Sequence, residues 1–153
     1  GVTFALPVGF EQLKWFGNGP HECYADRQSS AMLGIYSSAP DELPYLVPQE
    51  YGLRTNCRWF AISNPKTGEV IKIEADGCLL HMSALPYTTD DLYRAKDQTE
   101  LFKRDYLTMN IDIAHRGLGT GSCGPDVLPQ YQVRAGTYKF TYVVSRQMGG
   151  ASG

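Results

Sequence analysis

The sequence predicts an all-β protein, an antiparallel β-sandwich with one short helix near residues 89–96. Three observations carry that expectation. Short runs of apolar-polar alternation recur about every 8–12 residues, with turn residues between them. Pro40, Pro44 and Pro48 forbid a helix interior across the stretch they span. Only one segment, beginning at Thr88, carries a helix start signal. The 153 residues can bury one domain core, and 42% hydrophobic with 20% charged residues is ordinary globular composition.

Val2 to Leu6 and Phe10 to Phe16 are expected as strands, separated by Pro7-Val8-Gly9. Gly17-Asn18-Gly19-Pro20 is expected as a loop, because Asn-Gly and Gly-Pro are both strong turn dipeptides. His21 to Arg27 is polar and aromatic without a clean period. Ala31 to Ser37 fits a strand with Met32, Gly34 and Tyr36 on one face. The proline-rich connection then delivers Gln49 to Arg54. Thr55 to Ser63 is expected as one strand, turned by Pro65-Lys66-Thr67-Gly68 into Glu69 to Ala75. There Ile71, Ile73 and Ala75 alternate with Lys72 and Glu74, the period of two that marks the clearest hairpin.

Asp76-Gly77 turns again into Cys78 to Leu85. Thr88 with Asp91 has the spacing of a capping box, with Asp in place of the usual Glu, and the acids complement a helix N-terminus. Tyr106 to Ile113 sets Tyr106, Thr108, Asn110 and Asp112 against Leu107, Met109, Ile111 and Ile113. Gln130 to Val133 and Tyr138 to Ser145 are expected as the last strands. The segment 148–153 is expected to be a flexible tail, since it lacks core-forming residues after Met148.

Net charge is −2 and Lys and Arg are scattered, which argues against a nucleic-acid partner. No apolar run approaches the roughly 18 residues of a membrane helix. With no signal-type segment visible, a cytoplasmic location is favoured, and the start without Met points to a chain cut from something longer. Cys23, Cys57, Cys78 and Cys123 form no C-x-x-C pair, and His21, His81 and His115 have no metal-ligand spacing. Buried free thiols and no metal site are expected.

Between two strand-like runs lies His115-Arg116-Gly117-Leu118-Gly119-Thr120-Gly121-Ser122-Cys123-Gly124-Pro125. Its G-x-G-x-x-G at 119–124 fails as a dinucleotide fingerprint, because Pro125 follows where a helix must open. A nucleophile elbow around Ser122 fails for the same lack of a helix, and because Thr120 stands where Gly is needed. Cys123 with His115 or His81 would be a thiol-imidazole pair only by a proximity the sequence does not supply. Glu22, Asp26 and Glu50 accompany His21, Arg27 and Arg54 in aromatic-rich loops. Two carboxylates can run glycoside hydrolysis when they flank a scissile bond. Acids interleaved with arginines more commonly form ion pairs that hold loops together, and that role is expected here.

Three ordered blocks carry a resemblance. They are Trp15 to Arg27 (WFGNGPHECYADR), Val47 to Thr55 (VPQEYGLRT), and His115 to Gly119 with Ser122-Cys123-Gly124-Pro125. Together they resemble the C-terminal, small-chain domain of glycoside hydrolase family 2 β-galactosidases. The resemblance implies an antiparallel β-supersandwich of the galactose mutarotase type, of which residues 1–147 would be the C-terminal half. It implies hydrolysis of terminal β-D-galactosides such as lactose by the complete enzyme. It also implies that the two catalytic glutamates lie in a barrel domain outside this chain. The family's acid/base Glu follows an Asn, and no Asn-Glu dipeptide occurs here.

This chain alone is therefore expected to be inactive, with no catalytic residue and no cofactor of its own. The complete enzyme would draw on Mg and a monovalent cation, and the expected partners are the catalytic barrel, a galactoside and further subunits. In some members the 117–125 loop presents a Trp that stacks on sugar at the active-site mouth; the matching position is Cys123. Ser122, Cys123 and Gly124 are thus the expected substrate-side residues. His21, Glu22, Asp26, Arg27, Glu50 and Arg54 are expected to face sugar or to be structural. Two alternatives stay open. A carbohydrate-binding module fits the six Phe, ten Tyr and two Trp. A mutarotase-like epimerase would pair Glu50 or Glu22 with His21 or His81 as general acid and base.

Overall fold

The computed structural model describes residues 1–42, 48–119, 124 and 126–148. Among the described residues nine strands form: β1 Val2–Pro7, β2 Gln12–Gly19, β3 Met32–Ser38, β4 Arg54–Cys57, β5 Trp59–Asn64, β6 Glu69–Asp76, β7 Leu80–Leu85, β8 Tyr106–Asp112 and β9 Thr141–Met148. Helix α1, Thr89–Arg94, lies between β7 and β8. The strands make two antiparallel sheets, ordered β1-β8-β7-β4 and β3-β2-β5-β6-β9. The protein is an all-β sandwich.

The core sits between the sheets because alternation turns one face of each strand inward. Leu13 and Trp15 of β2, Phe60 and Ile62 of β5, and Ile73 of β6 meet Leu80, Met82 and Ala84 of β7 and Leu107, Met109 and Ile111 of β8. Removing side chains such as Trp15, Phe60 and Ile62 from water stabilises the fold by about 1.5–3 kcal/mol each. The hairpin expected from Pro65 to Gly68 is present as β5–β6, with Phe60 opposite Ile73 and Ile62 opposite Ile71.

A smaller cluster of Tyr51, Leu85, Tyr87 and Leu92 fastens α1 to the 48–53 connection. Thr88 accepts from the Asp91 amide at 3.1 Å, and Asp91 accepts from the Thr88 amide at 2.9 Å, so the capping box forms. The helix stops at Arg94, where Ala95 becomes extended, two residues short of the expected end.

Four expectations need correction. Gly17, Asn18 and Gly19 are not a loop; they continue β2 and pair with Gly34, Leu33 and Met32 of β3. The turn dipeptides there are overridden by a neighbouring strand with which the backbone can form a ladder. Thr55 to Ser63 is not one strand but two in different sheets. Asn56 adopts φ of 54°, a conformation open to Asn, and the chain crosses the sandwich between β4 and β5. Gln130 to Val133 is not a strand: Pro129–Tyr131 form a 3-10 turn instead, with proline in its first turn. The final strand is shifted, beginning at Thr141 rather than Tyr138 and reaching Met148.

Candidate functional site

The described residues of the three blocks quoted above meet in one node, although they lie far apart in the chain. The connection after β2 supplies Glu22, Tyr24, Asp26 and Arg27. Its Cys23 amide donates to the Leu53 carbonyl at 2.9 Å, and Tyr24 and Arg27 exchange backbone hydrogen bonds at 3.1 and 2.9 Å. These bonds tie the first block to the approach to β4. Burial of Cys23 and Tyr24 then anchors a segment otherwise rich in polar groups.

Glu22 is buried, and both its oxygens are committed. Oε1 accepts from Arg27 Nη2, and Oε2 accepts from the Gly52 amide at 2.6 Å. Gly52 has φ of 85°, which only glycine adopts readily, and a Cβ there would lie 3.0 Å from Leu85 Cδ2. Glu50 accepts from the Tyr24 hydroxyl at 3.2 Å. Burial raises the Glu50 carboxyl above its usual range, against the opposing pull of His115 and of the Tyr24 hydrogen bond. Burial also pushes the Tyr24 phenol up.

The third block docks on these two. His115 Nε2 lies 3.8 Å from Glu50 Oε1, and its ring meets Tyr24 edge-on with centroids 5.6 Å apart. Its Nδ1 is 2.7 Å from the Arg116 carbonyl, so Nδ1 carries the proton and donates. Asp26 then takes the glycine run. Oδ1 accepts from the Leu118 amide at 3.0 Å and Oδ2 from the Gly119 amide at 2.8 Å. The Gly117 amide donates to the Tyr131 carbonyl at 2.9 Å. Arg116 pairs with Asp126 on the outer side.

The other named residues serve this frame. His21 donates from Nδ1 to the Glu22 carbonyl at 2.7 Å, and Nε2 accepts from the Ser30 hydroxyl at 2.9 Å. Arg54 lies over the Trp15 ring at 4.5 Å, and burial lowers the pKa of its guanidinium. Cys57 is a core residue whose thiol burial pushes up to about 12, far from a reactive thiolate. His81 sits on β7 opposite Asp112 of β8, and burial lowers its pKa. Ser122 and Cys123 lie outside the described residues, and with them the Cys123 thiol-imidazole pairing; Gly124 is exposed.

Of the ion pairs expected in general between Glu22, Asp26 and Glu50 and the arginines Arg27 and Arg54, Glu22 with Arg27 is one that forms. Sequence reasoning missed that Asp26 bonds backbone amides rather than a cation. It also missed that His115 and Tyr24 share Glu50. Tyr24 stood in the quoted block, but nothing in its neighbours gave its partner away.

A cavity of about 380 Å³ opens beside the node, lined in part by His21, Glu22, Glu42, Tyr51 and Arg54. Tyr51 Oη, Arg54 Nε and Ser38 Oγ border it as buried polar atoms without a hydrogen-bond partner. A larger cleft, about 670 Å³, lies beside α1, where Asp90–Arg94 and Asp91–Arg104 pair four of the charges that line it. Among the described residues no three His, Cys, Asp or Glu side chains are placed to hold a metal ion. No described helix is long and apolar enough to cross a membrane.

The family model described as β-galactosidase small chain matches residues 1–144. The chain is 35% identical to a β-galactosidase of Vibrio cholerae over 143 residues, covering 92% of this chain and 13% of that protein. It is 37% identical to β-galactosidase BgaC of Bifidobacterium adolescentis over 139 residues, 88% of this chain and 13% of the relative. The β-galactosidase of Kluyveromyces lactis is 31% identical over 143 residues, 93% of this chain and 14% of its own. The chain thus spans about an eighth of the length of these relatives. With its three blocks joined in one node and its match running nearly end to end, the chain belongs to the β-galactosidase small-chain family.

Proposed function

We propose that this segment is a non-catalytic part of a β-galactosidase acting on terminal β-D-galactosides such as lactose, and that its 117–125 loop borders the active-site mouth. One observation carries the reading: the node spends Asp26 on the Leu118 and Gly119 amides and Glu50 on Tyr24 and His115 rather than on presenting free carboxylates. Glu22 is likewise bound to Arg27 and Gly52, so no pair of acids stands ready to flank a glycosidic bond. Residues 1–147 are the C-terminal half of a supersandwich domain in this reading. The catalytic barrel, the Mg and monovalent-cation sites and the subunit contacts belong to the rest of a cytoplasmic enzyme. The test is a chromogenic galactoside assay on the purified chain and on a complete β-galactosidase carrying it. Turnover by the complete enzyme alone is expected; robust turnover by the isolated chain would refute the reading.

A second reading, a sugar-binding module, is favoured by the cavity with its three unpartnered polar atoms at Ser38, Tyr51 and Arg54. Apolar walls with a few convergent polar groups are what small ligands use. Calorimetric titration of the chain with galactose and lactose separates the two: heat that disappears in Tyr51→Phe supports the module, and silence at millimolar sugar removes it.

A further inference from the structure

Resting on the reading of the cavity of about 380 Å³ as a ligand site, we propose that it takes a small hydroxy-carboxylate, the acid held by Arg54 and the hydroxyls by Tyr51 and Ser38. The site needs nothing from the glycine run. Walls from Leu13, Ala84 and Leu85 are apolar, and in such surroundings a charge-assisted bond is strong. Other polar residues of the wall are committed elsewhere or open to water. His21 donates to the Glu22 carbonyl and accepts from Ser30, while Glu22 accepts from Arg27 and the Gly52 amide. Glu42 is exposed. Tyr51 Oη, Ser38 Oγ and Arg54 Nε are buried and make no hydrogen bond. Native proteins leave few such atoms, and three around one cavity point to a ligand that matches them.

Charge selects the acid. Glu22 has Arg27 as its counter-ion, so the unspent charge of the buried wall is the Arg54 guanidinium. Among the described residues Arg54 forms no ion pair; its Nη1 reaches the Leu53 carbonyl only at 3.5 Å, and its face lies over Trp15. The edge that carries Nε–H is one that can receive a carboxylate through two parallel bonds. Burial outweighs the pull of Glu22 on Arg54 and lowers its pKa. A carboxylate on the Nε edge restores that balance, which a neutral sugar does not. Burial also raises the Tyr51 phenol above its ordinary 10, so it meets the ligand as a hydroxyl that donates. Tyr51 is 2% exposed and packs with Leu85, Tyr87 and Leu92, so it fixes where the ligand's hydroxyl lies. Ser38 and the end of Arg54 reach the ligand by side-chain turns. The volume is near the small end of ligand pockets and suits a molecule of sugar-acid size.

The test is calorimetric titration of the chain with D-galacturonate, galactose and acetate as probes. Galacturonate carries both a carboxylate and hydroxyls, and each of the others lacks one of these. It is expected to bind about tenfold or more tightly than either, the factor that a hydrogen bond to a charged group supplies. Tyr51→Phe and Ser38→Ala remove atoms that have no partner in the fold. Both are expected to keep the unfolding midpoint and to weaken galacturonate by about three- to tenfold. Arg54→Gln is expected to bring galacturonate down to the level of galactose, and Arg54→Lys, which keeps charge but loses the planar edge, to fall between. If Arg54→Gln does not fold, the tyrosine and serine variants decide. If galactose binds as tightly as galacturonate and Tyr51→Phe weakens both, the acid preference is overturned and the sugar-binding reading stands. If acetate matches galacturonate, or if the galacturonate heat is the same in every variant, the proposal is overturned. Silence with all three probes at millimolar concentration overturns it together with the reading of the cavity as a ligand site.

Discussion

At the node, Glu22, Asp26 and Glu50 accept hydrogen bonds from an arginine, a tyrosine and three backbone amides. On the outer face of the five-stranded sheet, Leu33, Ile35 and Val143 are each more than half exposed. Ile35, Phe16, Trp59, Glu74 and Val143 form one cross-strand row there, with Arg58 over Phe16 and Lys72 over Trp59. Polar groups are gathered inward at one place and apolar groups left outward at the other, the reverse of the usual sorting. A buried polar group is tolerated when its donors and acceptors are matched, and the three acids of the node achieve that largely with backbone amides. An apolar face in water has no such remedy except a cover, and large exposed patches mark contact surfaces.

The strongest way to break the contrast is Glu22→Ala. It strips the Arg27 pair and leaves the Gly52 amide without its acceptor. We expect a loss of about 2–4 kcal/mol in urea unfolding, toward the lower end because Arg27 is half-exposed. A loss below about 0.5 kcal/mol would place the node among ordinary surface pairs.

Next in size is Gly117→Ala, whose Cβ would lie 2.6 Å from both Asp26 Cγ and Oδ2. It is expected to cost about 1–3 kcal/mol through that collision. Combining it with Asp26→Ala should recover part of that loss, because the two share one contact. Strict additivity in the double-mutant cycle would show that the contact is not the cause.

The pH profile separates a carboxylate held down by a cation from one pushed up by desolvation. Asp91 is held below its ordinary 3.8, chiefly by the hydrogen-bonded guanidinium of Arg104. A lowered folded value means stability that is present above pH 3.8 and lost as pH falls through and below it. Glu50 is raised by burial above its ordinary 4.5, so its contribution is present below that pH and lost as pH rises through the folded value. Asp91→Asn should flatten the acid limb by about 1 kcal/mol or less, since the pair with Arg104 is solvent-screened. Glu50→Gln should compare more favourably with the parent at neutral pH than near pH 4; the opposite slope would contradict the burial of Glu50.

The smallest effect on folding is expected at the outer face. Leu33→Lys with Ile35→Lys should change unfolding by about 0.5 kcal/mol or less per site. The isolated chain is expected to self-associate through its uncovered apolar surface, and the two lysines to reduce that in sedimentation velocity. A parent chain that stays strictly monomeric and unfolds sharply would mean that this face needs no cover.

Much of the fold was legible because its signals are local. The β5–β6 hairpin followed from the Pro65 to Gly68 turn and the Ile71-Ile73-Ala75 alternation. The α1 start followed from Thr88 and Asp91, three residues apart and able to bond one another without outside help. The misreadings share a cause. Gly17 to Gly19 looked like a loop because the ladder with β3 is not encoded in those residues. The break between β4 and β5 was hidden because both halves alternate in the same way, and only the backbone at Asn56 marks the crossing.

The sequence by itself determined the sandwich class, the capped helix and the three blocks that mark the family, since periodicity and short-range capping are properties of neighbours. The tertiary structure alone decided what the acids do. Nothing about Asp26 as a residue says that it will hold the Leu118 amide, 92 positions away, any more than Glu50 announces Tyr24 and His115. Hydrogen bonds reach only about 3 Å, so which groups meet depends on how two sheets bring distant connections to the same end.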